Sequence, residues 1–164
     1  MIEYSKVTSP KDVENVAKLA DHIWKEYYTP IIGEEQVQYM LSKFQQEDAI
    51  SKQIEKDQYD YYLFKYKGLE VGYMGIQRRE KELFLSKLYI SKYYRNKGVG
   101  RQAFSLAERL ARQNECNKIT LTVNRNNKSS IEVYLQKDFK IVKEEKMDIG
   151  NGFIMDDFIM EKNL

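Results

Sequence analysis

The sequence predicts an α+β fold, in which helices lie on both faces of a mixed but mostly antiparallel sheet. Two observations lead to this prediction. The apolar periods along the 164 residues follow the order β-α-α-β-β-β-α-β-α-β-β. One long amphipathic helix separates two later strands, which favours a parallel, right-handed crossover. No repeat, low-complexity tract or linker interrupts the chain, so we expect residues 1–164 to form a single domain.

The first third of the chain is predicted to be helical after one short strand. Ser9 supplies an N-cap and Pro10 the first helical position, and Tyr28-Thr29-Pro30 is expected to end that helix. The predicted elements are a strand (Ile2–Val7), a helix from Ser9 to Tyr28, a second helix after Gly33 (Val37–Phe44) and a third, short helical pattern (Asp48–Lys56).

The rest of the chain contains several runs with the two-residue period of strands. Lys67-Gly68 is a turn signal, and Asn151-Gly152 is a strong hairpin signal. We expect the first three of these strands to form an antiparallel meander. The predicted elements are strands Tyr61–Tyr66, Val71–Gln77 and Leu83–Ile90, a helix over 99–111, a strand Ile119–Val123, a helix Lys128–Lys137, and strands Phe139–Met147 and Phe153–Met160.

Composition and charge exclude several classes of protein. Hydrophobic residues make up 42% and charged residues 32% of the chain, as in soluble globular domains. The 27 basic and 25 acidic residues nearly balance, so we expect neither a nucleic-acid partner nor an anionic membrane partner. The lone Cys116 rules out an internal disulfide and a multi-cysteine zinc site. The lone His22 rules out a histidine-rich metal site, and no metal is expected.

The N-terminus and the hydropathy pattern predict a cytoplasmic protein. Residues 1–6 lack the basic and then apolar stretches of a signal peptide, and no apolar run approaches the ~18 residues of a membrane span. The 13 tyrosines are the one unusual count. They are explained by strand propensity or, alternatively, by a tyrosine-lined binding cleft.

The segment Ser91–Arg101 is the most informative part of the sequence. It contains Lys92, Arg95, Lys97 and Arg101 and no acidic residue, in a chain of nearly zero net charge. Its glycines stand where the backbone turns into a helix, whose free N–H groups and dipole attract anions. We therefore predict a phosphate or pyrophosphate ligand. The alternative is a solvated basic loop that only caps the helix.

Three phosphate-binding motifs can be compared with this segment. A P-loop needs Gly-Lys-Ser/Thr, which is absent. Residues 98–103 match the dinucleotide motif G-x-G-x-x-G/A, but Gly98 does not directly follow the strand, and no acidic residue ends the next strand. The third motif, Arg-x-x-Gly-x-Gly, is met by Arg95, Gly98 and Gly100.

This third motif resembles that of the GNAT-type N-acetyltransferases. The resemblance includes Leu88-Tyr89-Ile90 before the loop, the block Asn127-x-x-Ser130-Ile131-x-x-Tyr134-x-x-x-Asp138-Phe139, and the order of elements over almost the whole chain. Two positions depart from the family pattern, which usually has Ala at Ser130 and Gly at Asp138. Ser is a small substitute, and Asp can adopt the left-handed conformation that Gly supplies.

The resemblance implies acetyl-CoA as the co-substrate. In this family the loop amides hold the pyrophosphate, and the strand before the loop splays from its parallel neighbour to receive the pantetheine arm. Here that splayed pair would be Leu83–Ile90 and Ile119–Val123. The implied cofactor-binding residues are Leu88, Tyr89, Ile90, Arg95, Asn96, Lys97, Gly98, Val99, Gly100, Arg101, Asn127 and Ser130.

Tyr134 is implied as the general acid. After an amine attacks the thioester the leaving group is a thiolate, and a positioned phenol can stabilise and protonate it. The alternative is a core tyrosine on a short helix. The sequence leaves the general base open. Its candidates, each of which is also explained as a solvated or structural side chain, are Glu26, Glu34, Glu35, Glu82 and His22.

The segment 22–41 resembles the acceptor-side helices of bacterial small-amine or polyamine acetyltransferases. Tyr28 and Glu35 in it would suit a cationic amine through cation–π contact and charge. The resemblance thus implies an enzyme that acetylates a primary amine of a small molecule. The alternatives are a protein N-terminus or lysine as acceptor, or a non-catalytic acyl-CoA sensor, which would not need Tyr134. The Asn151-Gly152 hairpin could present an edge strand to a second copy in a homodimer.

Overall fold

The computed structural model describes residues 2–164 and has the mixed α+β architecture that the sequence predicts. The strands are β1 (Ile2–Lys6), β2 (Tyr59–Tyr66), β3 (Leu69–Arg79), β4 (Glu82–Ile90), β5 (Lys118–Asn124), β6 (Lys140–Gly150) and β7 (Phe153–Asn163). The α-helices are α1 (Pro10–Tyr27), α2 (Thr29–Ile32), α3 (Glu34–Met40), α4 (Glu47–Lys56), α5 (Val99–Gln113) and α6 (Lys128–Gln136). A π-helical turn covers Leu41–Gln45, and a 3₁₀ turn covers Lys92–Tyr94.

The strands follow the order β1-β2-β3-β4-β5-β7-β6 in one sheet. The ladders β1–β2, β2–β3, β5–β7 and β6–β7 are antiparallel. The predicted parallel pair is β4 with β5, and it covers the first three residues of each strand, Glu82–Phe84 and Lys118–Thr120. The predicted hairpin joins β6 to β7, and Asn151 and Gly152 both have positive φ, as a tight hairpin turn requires.

Two compact units can be distinguished within the chain. The first consists of Met1–Gln77 and Lys87–Leu106, and the second of Arg78–Ser86 and Ala107–Leu164. Strand β4 therefore contributes its beginning to the second unit and its end to the first. Fully buried core residues of the first unit include Val16, Ile50, Tyr61, Phe64, Tyr73 and Met74, and those of the second include Ala111, Ile119, Leu121 and Met160.

Helix α1 begins where the sequence predicts. The Asp12 N–H donates to Ser9 Oγ at 3.1 Å, and the Ser9 N–H donates to Asp12 Oδ2 at 3.2 Å, which is a capping box. Hydrogen bonds from the backbone N–H groups of Thr8 and Ser9 hold the pKa of Asp12 below its ordinary value, although partial burial acts in the opposite direction. The helix is thus fixed at its N-terminus independently of what its apolar face packs against.

Two helical features are absent from the sequence prediction. Thr29 and Pro30 do end α1, but they also begin the four-residue helix α2, because proline fits the first turn of a helix. The pattern from Val37 to Phe44 is helical as predicted, yet its second half is a π-helical turn that follows α3 without a break. An apolar period near four residues does not distinguish a π-turn from an α-helix.

Within residues 2–164, no helix is long and apolar enough to cross a membrane.

Candidate active site

The predicted anion-binding segment connects β4 to α5. The backbone N–H of Ser91 donates to the Val71 carbonyl at 2.8 Å, which ties the start of the segment to β3. The segment then makes one 3₁₀ turn and enters α5 at Val99. Gly98 has φ +90°, and a side-chain carbon built there meets no atom within 4 Å. The space beside Gly98, just before the helix start, is therefore open to a ligand.

Four basic side chains lie on this segment, but they differ in their surroundings. Lys92, Lys97 and Arg101 are exposed. Arg95 is half-buried: its Nε donates to the Ile90 carbonyl at 3.1 Å, and its guanidinium lies 4.8 Å from the centre of the Tyr27 ring. Arg95 thus links the segment to helix α1, a structural contact that the motif alone does not predict.

The end of β4 has two different faces. Ile90 lies beside the start of α5, since a side-chain carbon built on Gly100 would be 3.5 Å from its Cδ1. Tyr89 lies in a group of aromatic rings from the helical region. The neighbouring strand approaches closely at Gly72, where a Cβ would be only 2.8 Å from the Tyr89 carbonyl oxygen. Glycine at position 72 therefore allows β3 to lie against this part of β4.

The residues of the second predicted block lie in the second unit. Asn127 is 2% exposed, and its Oδ1 accepts a hydrogen bond from the Ser130 N–H at 3.4 Å, which caps α6. Tyr134 is half-buried, with its ring 5.8 Å from that of Phe139. Asp138 has φ +69°, so the expected left-handed conformation at this position is confirmed.

Five aromatic residues of the first unit form a continuous group, called the aromatic cluster below. Trp24 stacks on Tyr28 with ring centres 4.4 Å apart, and Tyr89 lies 5.3 Å from Trp24 and 6.0 Å from Tyr28. Tyr27 and Tyr73 complete it, at 4.9 Å from Tyr28 and 5.4 Å from Tyr89 respectively. The indole N–H of Trp24 is buried beside the Tyr73 hydroxyl. The tyrosines of this region thus serve both the core and a partly open aromatic surface.

The predicted acidic and histidine candidates lie in less enclosed positions. Glu34 and Glu35 are exposed in the first turn of α3. His22 is exposed on α1, with its Nε2 3.3 Å from Glu26, which is a surface pair. Glu82 is half-buried at the start of β4. None of these positions by itself singles out a general base.

A buried lysine on β4 is the polar feature that sequence reasoning missed. Lys87 is 6% exposed, and its Nζ donates to the Phe44 carbonyl at 2.8 Å, to Gln53 Oε1 at 2.9 Å and to the Tyr61 hydroxyl. No acidic side chain within residues 2–164 forms an ion pair with it. Burial lowers the pKa of Lys87 to about 7, and it raises the pKa of Tyr61 far above its ordinary value.

A second buried ionisable group lies on β7, in the second unit. Asp157 is 7% exposed and is paired across the strands with Asn124 and Glu145. Burial raises its pKa to about 6, and the neighbouring Asp156 and Glu145 act in the same direction. The described part of the chain holds no group of three or more His, Cys, Asp or Glu side chains that could bind a metal ion.

Comparison with known proteins gives one family and a common fold. The model of the acetyltransferase (GNAT) family matches residues 17–139. PaiA N-acetyltransferase from Thermoplasma acidophilum, solved in complex with coenzyme A, is 23% identical with a TM-score of 0.83, and the alignment covers 100% of this chain and 99% of that one. No curated protein matches.

Two further solved structures share the fold at lower identity. A GCN5-related N-acetyltransferase from Rhodopseudomonas palustris is 17% identical over 99% of this chain and 95% of that one, with a TM-score of 0.82. A GNAT-family acetyltransferase from Streptococcus pneumoniae is 19% identical over 100% of this chain and 99% of that one, with a TM-score of 0.71.

The lowered pKa of Lys87 has a consequence for stability. Unfolding restores its ordinary pKa of 10.5, so between about pH 7 and 10.5 the unfolded chain binds more protons than the folded one, and stability rises with pH. Lys87→Met has no titrating amine at this position, so we expect its unfolding free energy not to rise in this way. The amount by which wild type is more stable than Lys87→Met should therefore grow by about 2 kcal/mol between pH 7 and pH 9. Urea titrations of both proteins at several pH values measure it. A difference that is constant over this range would contradict the expectation.

Proposed function

Because the chain belongs to the GNAT acetyltransferase family, we propose that it transfers an acetyl group from acetyl-CoA to the primary amine of a small molecule. The observation that carries this proposal is the basic, glycine-containing segment between β4 and α5, with open space beside Gly98 at the helix start. Residues 1–164 would act as one N-acetyltransferase domain. Solved structures that align over the whole chain support that extent.

The residues of the first unit suit coenzyme A. The residues proposed to receive the pyrophosphate, chiefly on their backbone amides, are Arg95, Asn96, Lys97, Gly98, Val99, Gly100 and Arg101, since a helix N-terminus with neighbouring cations favours an anion. The exposed Lys92, Lys97 and Arg101 would add charge-assisted contacts to its phosphates. Leu88, Tyr89 and Ile90 would offer backbone groups to the pantetheine arm, and Asn127 and Ser130 are proposed to contact it from the second block.

Tyr134 is the proposed general acid. Bound acetyl-CoA supplies a thioester carbonyl that a neutral amine can attack. The phenol of Tyr134 would then donate its proton to the departing sulfur and stabilise the charge that develops there. Its place on α6, half-buried rather than in the core, is compatible with a role at a reacting group.

The aromatic cluster is the proposed acceptor surface. Tyr28 and Tyr89 are half-buried and pack against the buried Trp24, so they present aromatic rings that suit a cationic amine through cation–π attraction. The acidic residues at the start of α3, Glu35 among them, would attract the same cation over a longer distance. We therefore favour a small polyamine or a similar cationic amine over a protein acceptor.

Two properties of the whole molecule belong to this proposal. We propose a cytoplasmic enzyme, because the one cysteine is buried and free, as is usual for a reducing compartment.

We also propose a homodimer. Strand β6 ends the strand order, is 11 residues long and exposes Ile141, Val142 and Met147, so it presents both unpaired backbone groups and apolar surface.

Replacement of Tyr134 by Phe tests the catalytic assignment. We expect thiol release from acetyl-CoA with at least one amine of a panel containing spermidine, putrescine, an aminoglycoside, amino acids and short peptides. Tyr134→Phe should lower kcat roughly 100-fold, because a general acid contributes about that much or more, while calorimetric affinity for coenzyme A stays unchanged. Tyr93→Phe, at a position that is 75% exposed, is the matched control and should retain full activity.

The outcomes of this experiment separate the functional alternatives. Release only with peptides would replace the small amine by a protein acceptor. Coenzyme A binding without release for any amine would favour the sensor. Full activity of Tyr134→Phe would remove Tyr134 from the mechanism.

The acceptor surface is tested by Tyr28→Ala and Glu35→Gln. Loss of the Tyr28 ring should raise KM for a cationic amine roughly 2- to 30-fold, the range expected for one cation–π contact. Glu35→Gln should raise the same KM less, and mainly at low ionic strength, because the contribution of an exposed charge is screened. Glu47→Gln, an exposed residue in the first turn of α4, is the control. Steady-state kinetics with unchanged constants for every accepted amine would refute this surface.

The dimer is tested by sedimentation equilibrium at micromolar protein concentration. We expect a mass of about two chains for the wild type, because pairing of β6 edges would bury exposed apolar residues. Val142→Lys should shift the protein towards monomer, since the substitution places a charge on that edge. A wild type that sediments as a monomer contradicts the proposal.

A further inference from the structure

We propose that Lys87 is a positioning residue for the acceptor side of the enzyme, where its amine holds the C-terminal end of the helical segment Glu34–Gln45 against β4. The inference rests on the function proposed above, in which the helices of the first unit form the acceptor wall. All the residues that it uses belong to that first unit.

The hydrogen bonds of Lys87 match the capacity of an ammonium group. A charged lysine has three N–H donors and no acceptor, and Lys87 Nζ meets three acceptors, on the π-turn, on α4 and on β2. The acceptor on α4 is itself oriented, because Gln53 Nε2 donates to the same Phe44 carbonyl at 3.2 Å. The Tyr61 hydroxyl donates to Gln53 Oε1 at 2.5 Å and so turns its oxygen lone pairs towards Lys87. Lys87 thereby joins three separate elements at one atom.

The position of Phe44 explains why a cation is suited to this place. Its carbonyl belongs to the last turn of the continuous helical segment Glu34–Gln45, where carbonyl groups have no partner further along the helix. The C-terminal end of a helix carries partial negative charge, which favours a lysine. A second contact holds the same end, because the Tyr73 hydroxyl donates to Gln45 Oε1 at 3.1 Å. The helix end is therefore attached by polar contacts to two strands, β3 and β4.

These contacts continue into the aromatic cluster. Lys87 precedes Tyr89 by two residues on β4, so their side chains share one face of the strand. Tyr73, which holds Gln45, has its ring 5.4 Å from that of Tyr89. Tyr89 in turn contacts Trp24 and Tyr28. A displaced helix end would therefore change the proposed acceptor surface, whereas none of these hydrogen bonds involves the segment Ser91–Arg101.

The strength of this attachment depends on protonation. The groups that face Lys87 are the Phe44 carbonyl from the π-turn, Gln53 from α4 and Tyr61 from β2, and none of them carries a negative charge at neutral pH. Below about pH 7 the amine keeps all three donors, and above it one donor is lost. Burial nevertheless disfavours the charged amine. Detachment of the helix end would expose Lys87 and restore its ordinary pKa, so the attachment is stronger where the buried amine is neutral, and loss of Lys87 should matter most above about pH 7.

The test compares Lys87→Met with Lys87→Gln at pH 6.5 and pH 8.5. Met fills similar space without a donor, and Gln restores two N–H donors. We expect Lys87→Met to raise the acceptor KM about threefold at pH 6.5 and about tenfold at pH 8.5, with kcat and the affinity for coenzyme A within twofold of wild type. Lys87→Gln should recover part of the loss. Met160→Ala on β7, in the second unit, is the control for lost packing without a polar contact, and it should move neither constant more than twofold.

Amide hydrogen exchange provides a readout that does not depend on activity. Lys87→Met should accelerate exchange in residues 34–46 at least tenfold relative to wild type and leave α5 unchanged, because only the helix end loses its attachment. If the wild type acetylates no amine but this local acceleration is found, the proposed function fails and the positioning role stands. Unchanged exchange in residues 34–46 overturns the inference, whatever the activity.

Two further results would also overturn it. An equal loss of acceptor and coenzyme A binding in Lys87→Met would indicate a general structural role. If Lys87→Met does not fold, Tyr61→Phe takes its place, since it deletes one acceptor of Lys87 and keeps the ring. We expect it to raise the acceptor KM about threefold at pH 6.5, and an unchanged KM together with unchanged exchange in residues 34–46 contradicts the proposal.

Discussion

The nine residues of β4 have to meet three physical demands at once. The first three pair in parallel with β5, Lys87 holds a helix end, and Leu88–Ile90 lead into the basic segment before α5. One strand can meet these demands because successive side chains point to opposite faces. Tyr89 reaches the aromatic cluster while Ile90 lies at the start of α5. A shift of β4 by one residue would exchange these faces and disturb all three functions together.

The chain uses its cations in two physically different ways. The exposed lysines and arginine of the segment Ser91–Arg101 lie at the surface, where they can attract an external anion. Lys87 is surrounded by neutral acceptors, so its charge is only marginally stable near neutral pH. A net charge of +2 describes neither situation, since the position of each charge, and not the sum, determines what it does.

Much of the fold could be predicted because its signals are local. Ser9 and Pro10 mark the start of α1, Asn151-Gly152 marks the last hairpin, and Asp138 takes the left-handed conformation within four residues of Tyr134. Such features depend on a few neighbouring residues, and their backbone requirements can be recognised in a short stretch of sequence. The basic segment and its glycines were recognisable for the same reason.

The polar attachment of Lys87 could not be predicted in this way. Its partners are 26, 34 and 43 residues away in the chain, so no local pattern brings them together. One signal was present: Lys87 stands between Leu85 and Tyr89 on the face of β4 that alternation directs inward, where a lysine is unusual. The π-turn was hidden as well, because Leu41–Gln45 carries an ordinary helical pattern. A π-turn contains about one more residue per turn than an α-helix, so the number of residues in Leu41–Gln45 matters. Deletion of one residue between Met40 and Gln46 would convert this segment to a regular α-helix. Each residue of an α-helix rotates the chain by roughly 100°, so the deletion would turn the Phe44 carbonyl and the Gln45 side chain away from the strands that they contact. The number of residues in this segment is therefore constrained as strictly as their chemical character, and insertions or deletions there should be rarer among functional variants than substitutions.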